Sequence, residues 1–524
     1  MSEKILGKVL EKADSDLFQF VSTKYFHNRF VKVRMNHISE NTRIIGEIIS
    51  IESVNPYFEK PTIIRYVEEQ DEDIALQSLY LAKVKPLALI QNGQPKEVDF
   101  PPSPGSNVFK ADESDIRLAL DLEEKGIDIG YLKGSNLPFK ISPGKLLRTH
   151  ISILGQTGSG KSYLAAKIAT EFLKLRHYAD VPSQIAVPII FDSSGEYSGG
   201  YDLGGQKELS LIMKTISIGE HHFPLLNEKY LSLFYDIYSI DEKQESELRV
   251  WLSSATDINP ITEIKQGSQQ SLLKQQDVKH LIEEFCQLRI NSTKQFANNL
   301  EDYIKKHNKL QPTEKFSIPY NAISKMRKYN LKVKKTDDMD IIEQLSNGLI
   351  VNLSDQDNYD ERQITMLLFL RQLYEAAKAK KLNSKIVLFI EEAHNYVPSV
   401  YKSFCKEEIL RLAREGRKYG IILCLISQRP RWVDPTALSQ CGNIFIFRIQ
   451  NSDDKKHIFD SVSLPDALKD INIAKFKTGE MITTGDVVNH PMNCLVSQID
   501  NNFVSLQRGR IKDKYMGEIK RHTK

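Results

Sequence analysis

Residues 155–162 read Gly155-Gln156-Thr157-Gly158-Ser159-Gly160-Lys161-Ser162, a complete G-x-x-x-x-G-K-S loop. A buried strand must feed such a loop and a helix must leave it. Ile151, Ile153 and Leu154 supply the apolar strand. Tyr163–Arg176 carries Leu164, Ala165, Ile168, Ala169, Phe172 and Leu173 on one side at helical spacing. The chemistry needs this order. Glycines let successive backbone N–H groups close around a β-phosphate, the helix N-terminus adds the positive end of its dipole, and Lys161 reaches the β/γ oxygens. Ser162 offers a hydroxyl to Mg²⁺. Residues 155–162, with Tyr163 next to them, are the candidate ATP contacts.

Strand and helix signals alternate on either side of the loop. Ala186–Phe191 is a β-rich run that ends in Asp192-Ser193-Ser194-Gly195-Glu196-Tyr197. Gly348–Leu353 reads as another strand, and Glu361–Lys380 as an amphipathic helix with Ile364, Leu367, Leu368 and Leu370 near one face. Ile386–Ile390, Ile421–Ile426 and Ile444–Ile449 follow as strands. Strands separated by helices imply an α/β fold with a mainly parallel sheet covered on both faces. This core is expected over 106–222 and 341–495. Residues 223–340, polar and rich in Lys, Gln and Glu, read as a helical insertion. Residues 1–105 show short strands and turns, in Arg29–Met35, Ile44–Ile51 and Leu79–Ile90, and predict a small β-barrel or sandwich. The Pro-rich stretch Phe100–Ser106 is the expected linker. Residues 496–524 form a basic C-terminal segment.

At 524 residues the chain exceeds one ordinary core. Its formal net charge of +3 announces no global basic field, so any nucleic-acid contact must be a local patch or arise on assembly. No apolar run approaches the ~18–20 residues of a membrane span. Met1-Ser2-Glu3-Lys4 lacks the apolar core of a signal peptide. The five cysteines show no C-x-x-C spacing. The expectation is a soluble, cytoplasmic protein with no membrane association.

A second constellation completes a nucleotide site. Lys385–Ile390 leads into Glu391-Glu392-Ala393-His394, so a buried strand delivers two adjacent carboxylates to one edge. One must hold Mg²⁺ and the other must orient and deprotonate the attacking water. Glu391 is assigned to the metal and Glu392 to the water, although an Asp commonly fills the first position. Ile421–Ile426 ends in Ser427-Gln428-Arg429-Pro430, which places Gln428 as a γ-phosphate sensor. Arg411, Arg414 and Arg417 are either a solvated helix end or the source of an arginine finger that works across a subunit boundary.

Together these stretches resemble the HerA branch of the HerA/FtsK superfamily of ring-forming DNA-pumping ATPases. The resemblance rests on His150–Ser162, Asp192–Tyr197 and Ile390–Pro398. Its most specific part is Ala413–Arg448, with Ala-Arg-Glu-Gly-Arg-Lys-Tyr-Gly, Ser-Gln-Arg-Pro and Asp-Pro-Thr-Ala-Leu-Ser-Gln-Cys-Gly-Asn in order; Thr478-Gly479-Glu480 is a weaker match. The resemblance implies a RecA-like core, an N-terminal β-barrel and a homo-hexamer with ATP at each boundary and double-stranded DNA in the central channel. It assigns phosphate and Mg²⁺ roles to Lys161 and Ser162, catalysis to Glu392 and sensing to Gln428. Asp192 and Glu196 fall at acidic positions, with Asp192 a further metal candidate. Arg417, or else Arg414, becomes the trans-acting finger, and Arg148 a phosphate contact. A separate nuclease or NADase-type effector is the implied partner. The alternative is a ring scaffold that activates its effector without translocation. The basic run Lys325–Lys335 is either a DNA contact or a solvated helix face.

Overall fold

The alternating runs near the N-terminus pair into a closed barrel. The computed structural model describes residues 4–35, 38, 41–54, 79–135, 137–180, 185–198, 213–217, 223–224, 293–306, 327, 333–334, 345, 348–355, 358–461 and 471–499. Its first strands are β1 (Ile5–Ala13), β2 (Phe18–Ser22), β3 (Phe30–Arg34), β4 (Arg43–Val54), β5 (Leu79–Gln91), β6 (Gln94–Lys96) and β7 (Asn107–Lys110). Their order is β2-β1-β7-β3-β4-β5-β6, and β2 also pairs with β5, which closes the sheet. Phe18, Phe20, Val31, Val33, Ile44, Val84 and Val108 fill the interior.

The boundary expected at residue 105 moves. β7 lies between β1 and β3, so the barrel is not closed without residues 107–110. The Pro-rich stretch is therefore a loop inside the barrel. Helix α1 (Glu113–Leu120) also packs on β4 and β5, where its buried Asp115 pairs with Arg43. Nor is the barrel a separate bead. Phe30, Ile45, Leu87 and Ile90 share one apolar cluster with Ile127, Ile129, Phe139 and Phe445 of the core.

The core sheet contains β8 (Ile127–Leu132), β9 (Pro138–Ile141), β10 (His150–Leu154), β11 (Val187–Asp192) and β12 (Lys214–Ser217). After the short pair β13 (Phe223–Pro224) and β14 (Val333–Lys334) come β15 (Leu349–Asn352), β16 (Ile386–Ile390), β17 (Ile421–Ser427), β18 (Cys441–Ile446), β19 (Glu480–Gly485) and β20 (Met492–Val496). The order is β12-β15-β11-β16-β17-β10-β18-β19-β20-β8-β9. Pairings from β12 to β18 are parallel, and those from β18 to β9 are antiparallel.

Period-two alternation assigns side chains to the two faces. Ile151, Ile153 and Ile190 meet helix α2 (Lys161–Tyr178) through Leu164, Ile168 and Phe172. Leu154, Ile189 and Phe191 share the other cluster with helices α3 (Tyr359–Lys378) and α4 (Lys406–Glu415), through Leu367, Leu370, Ile409 and Leu412. Of the expected insertion, a helix at Thr293–Lys306 and the parallel β13–β14 pairing are described. Most of the 325–335 run and residues 500–524 lie outside the described residues. Arg327, from that run, pairs with Glu301. No helix among the described residues is long and apolar enough to cross a membrane.

Candidate active site

The C-terminal ends of β10, β11, β16 and β17 share one sheet edge, where α/β folds place their ligands. The loop after β10 leaves with Gly155, Gly158 and Gly160 at φ +155°, +72° and +111°. A Cβ on Gly155 would lie 2.6 Å from Cβ of Phe447. Lys161 starts α2, is buried, and donates from Nζ to the Gln156 carbonyl at 3.0 Å. Burial lowers its pKa while Glu392, Glu391 and Glu196 push it back up. A desolvated ammonium facing a glycine cradle is a receptor for anionic oxygen.

The two glutamates diverge at the end of β16. Glu391 is buried and accepts hydrogen bonds from the Tyr197 hydroxyl at 2.6 Å and Ser194 Oγ at 3.4 Å. Burial pushes its pKa up to about 8, and Glu196 and Asp192 add to this; bonds from Tyr197 and Ser162 act in the opposite sense. A carboxyl this desolvated, in contact with the Ser162 hydroxyl, suits a bound cation. Glu392 adopts a left-handed φ of +48°. For a non-glycine residue this costs on the order of 1–3 kcal/mol, a strain found at functional positions.

Oε2 of Glu392 is buried and has no hydrogen-bond partner. His394 Nδ1 lies 3.3 Å away, but burial lowers the His394 pKa to about 4, so the ring is neutral at pH 7 and Nδ1 lies within 3.1 Å of Ser427 Oγ. This orphaned acceptor, beside the Lys161 cradle, fits a site that receives a water with MgATP. Among the described residues no group of three or more His, Cys, Asp or Glu side chains is placed to hold a metal ion. Gln428 joins the site, with its Oε1 accepting from the Thr157 hydroxyl. Burial raises the Glu392 pKa while Lys161, the Gln428 N–H and Arg429 oppose that rise; Arg429, not singled out from sequence, also acts with burial to lower the His394 pKa and is a second cation at this edge.

Three expected contacts are placed elsewhere. The Asp192 carboxylate accepts from Gly195, Glu196, Tyr197 and Ser198 N–H groups and from Ser198 Oγ, all within 2.7–3.1 Å. Both oxygens are occupied, so Asp192 shapes the 193–198 loop and is not left free for metal. The Tyr163 hydroxyl accepts from Ile499 N–H at 2.9 Å and is turned from the phosphate cradle into the protein. Arg148 precedes β10, and Arg417 precedes β17 and donates to the Arg148 carbonyl at 3.4 Å. Both stand at the N-terminal edge, separated from their own phosphate loop by roughly 15–20 Å of strand. Arg148 is therefore remote from the phosphate loop of its own chain. Arg414 is exposed near that edge and bonds back to the Leu410 carbonyl.

Sequence reasoning missed Tyr197, Ser194 and His394 as parts of the site. Tyr197 stood in a noted motif, but nothing local shows that it is fully buried against Glu391.

A family model described as the central domain of helicase HerA matches residues 127–397. A probable helicase of Methanocaldococcus jannaschii is 25% identical over 495 residues, covering 90% of this chain and 86% of that protein. A DNA double-strand break repair helicase HerA of Sulfolobus acidocaldarius is 28% identical over 476 residues, covering 86% and 85%. The solved structure of VirB4 from Thermoanaerobacter pseudethanolicus superposes with a TM-score of 0.46 at 14% identity, over 72% of this chain and 97% of that one. The family match spans more than half of the chain and contains the phosphate loop, the 192–197 loop and the paired glutamates; this ATPase belongs to the HerA helicase family.

Proposed function

We propose that the chain is an ATP-driven DNA motor that works as a ring, with each ATP completed by the neighbouring subunit. The orphaned Glu392 oxygen carries the hydrolytic reading: a half-buried carboxylate keeps one oxygen, Oε2, without a hydrogen-bond partner beside the cradle of Lys161. Lys161 neutralises β/γ oxygens, Glu392 takes the proton of the attacking water, and Gln428, tied to Thr157, orients the water or phosphate. Ser162 and Glu391 would hold Mg²⁺, which supplies further charge neutralisation. Arg417, with Arg148 beside it, lies on the opposite edge and is exposed, as a group that serves an adjacent subunit must be.

Relatives named as helicases support DNA as the translocated polymer. Contacts to phosphates would make binding sequence-independent and salt-sensitive. The barrel exposes Ile5, Leu17, Tyr25, Ile38, Ile49 and Ile51, half of the large exposed apolar residues among those described, and this supports it as the dock for a nuclease-type or NADase-type effector.

The test is steady-state ATPase with and without duplex DNA, followed by subunit mixing. Arg417→Ala and Glu392→Gln each abolish turnover, the former by about 10³–10⁵. Mixed rings regain activity because some interfaces recover both groups. Turnover indifferent to DNA indicates a scaffold, and no recovery in rings shown to be mixed removes the trans finger.

A further inference from the structure

The segment Thr478-Gly479-Glu480 has no part in the chemistry above, yet it lies against the phosphate loop. Gly479 N–H donates to the Ser159 carbonyl at 2.9 Å, and Thr478 Oγ1 donates to the Gly158 carbonyl at 3.2 Å. The approach is close: a Cβ on Gly160 would lie 3.3 Å from the Gly479 nitrogen. The turn therefore sets the outer lip of the cradle by holding two of its carbonyls outward. Such a contact matters because the loop's N–H groups bind phosphate only when its carbonyls point away.

Glu480 fixes this turn. Its carboxylate is buried and accepts from Lys133 Nζ, from Asn493 Nδ2 at 3.1 Å and from Lys477 N–H at 3.2 Å. Burial alone would raise its pKa, but these donors bring it below the ordinary value, so it is charged at neutral pH. Lys133 leads out of the core. Its carbonyl accepts from Arg29 Nη1 of the barrel at 2.8 Å, and its N–H donates to the Asn493 carbonyl at 3.0 Å. Arg29 is held in turn by Glu47 at 2.7 Å and packs its stem over Gly134. Charged groups and their partners thus run without a gap from barrel to phosphate loop.

We propose that Glu480 is a positioning residue for the phosphate loop and that Arg29, acting through Lys133, makes its placement depend on the barrel. An occupant of the barrel would then tune ATP affinity through this chain of contacts. The inference rests on the ATP site but not on the DNA or ring reading, since it is measured on nucleotide binding alone.

The test is a double-mutant cycle on the full-length protein, with Kd for a fluorescent ATP analogue and thermal melting read together. Arg29→Ala and Glu480→Gln are each expected to weaken binding by roughly three- to thirtyfold, the range for residues that couple sites. The double variant should bind no more weakly than the weaker single one. Lys133→Met should resemble Glu480→Gln, and Lys133→Arg should restore most of the affinity. If Glu480→Gln fails to fold, Lys133→Met takes its place in the cycle. Independent effects that multiply, or Arg29→Ala with wild-type affinity, overturn the proposal. So does a loss of affinity that only follows the melting temperature.

Discussion

His150 offers the most quantitative test of how the site is held. It opens β10 and is fully buried. Nδ1 accepts the Leu423 N–H at 2.9 Å, which leaves the proton on Nε2 to donate to the Ala413 carbonyl at 2.9 Å. One neutral imidazole therefore ties β17 and the end of α4, three residues before Gly416 and four before Arg417, to the strand that feeds the phosphate loop. Burial lowers its pKa to about 4, with the Ala413 bond raising it and Arg417 lowering it further.

The unfolded chain takes up this proton near pH 6.5, the folded chain only near 4. Between those values the unfolded state binds more protons, so stability falls as pH falls. The whole shift corresponds to about 3 kcal/mol, of which about 2 kcal/mol is lost by pH 5. His150→Asn removes the titration and keeps an acceptor for Leu423, at a pH-independent cost of about 1–3 kcal/mol for the unpaired Ala413 carbonyl. Urea unfolding of wild type and variant at pH 7.5 and pH 5.0 should show the stability gap narrowing by about 2 kcal/mol at the lower pH. Other histidines titrate in both proteins and cancel in the difference. A gap that stays constant refutes the neutral buried clamp.

Tyr197→Phe removes the 2.6 Å donor to Glu391 without changing volume. With its pKa pushed up to about 8, Glu391 must ionise to hold a cation at neutral pH, and the Tyr197 bond favours that charged form by about 1.5–3 kcal/mol, so the Mg²⁺ concentration for half-maximal ATPase should rise roughly tenfold or more; an unchanged Mg²⁺ profile counts against Glu391 as the metal-holding carboxylate. A truncation that starts at Ser106 keeps β7 without its partners and strips Phe30, Ile45, Leu87 and Ile90 from a shared core. It should melt well below the full chain or precipitate, whereas a soluble product with native melting temperature would show the barrel to be independent.

The phosphate loop, the strand and helix around it, and the parallel strands that follow were legible in the chain because each is local. Glycines at fixed spacing, continuous apolar runs of strand length and the Glu391–Glu392 pair at a strand end state their chemistry within a dozen residues. The antiparallel half of the sheet was not legible. β8 and β9 come before the phosphate loop yet pair beside β20, and β7 enters the barrel between β1 and β3, so each takes its place from partners distant in sequence.

The roles of the charged groups divided in the same way. Sequence identified Asp192, Arg148 and Arg417 as chemically apt, but a carboxylate's use depends on which donors reach it and an arginine's on which sheet edge it occupies. Five donors saturate Asp192. Arg148 precedes a strand whose other end carries the loop, and the extended backbone between them fixes the separation. Glu392, by contrast, retains an acceptor with no partner. Residue type is a property of the chain, whereas saturation and distance are properties of the packed molecule, because only folding decides which polar groups are left without water or a partner.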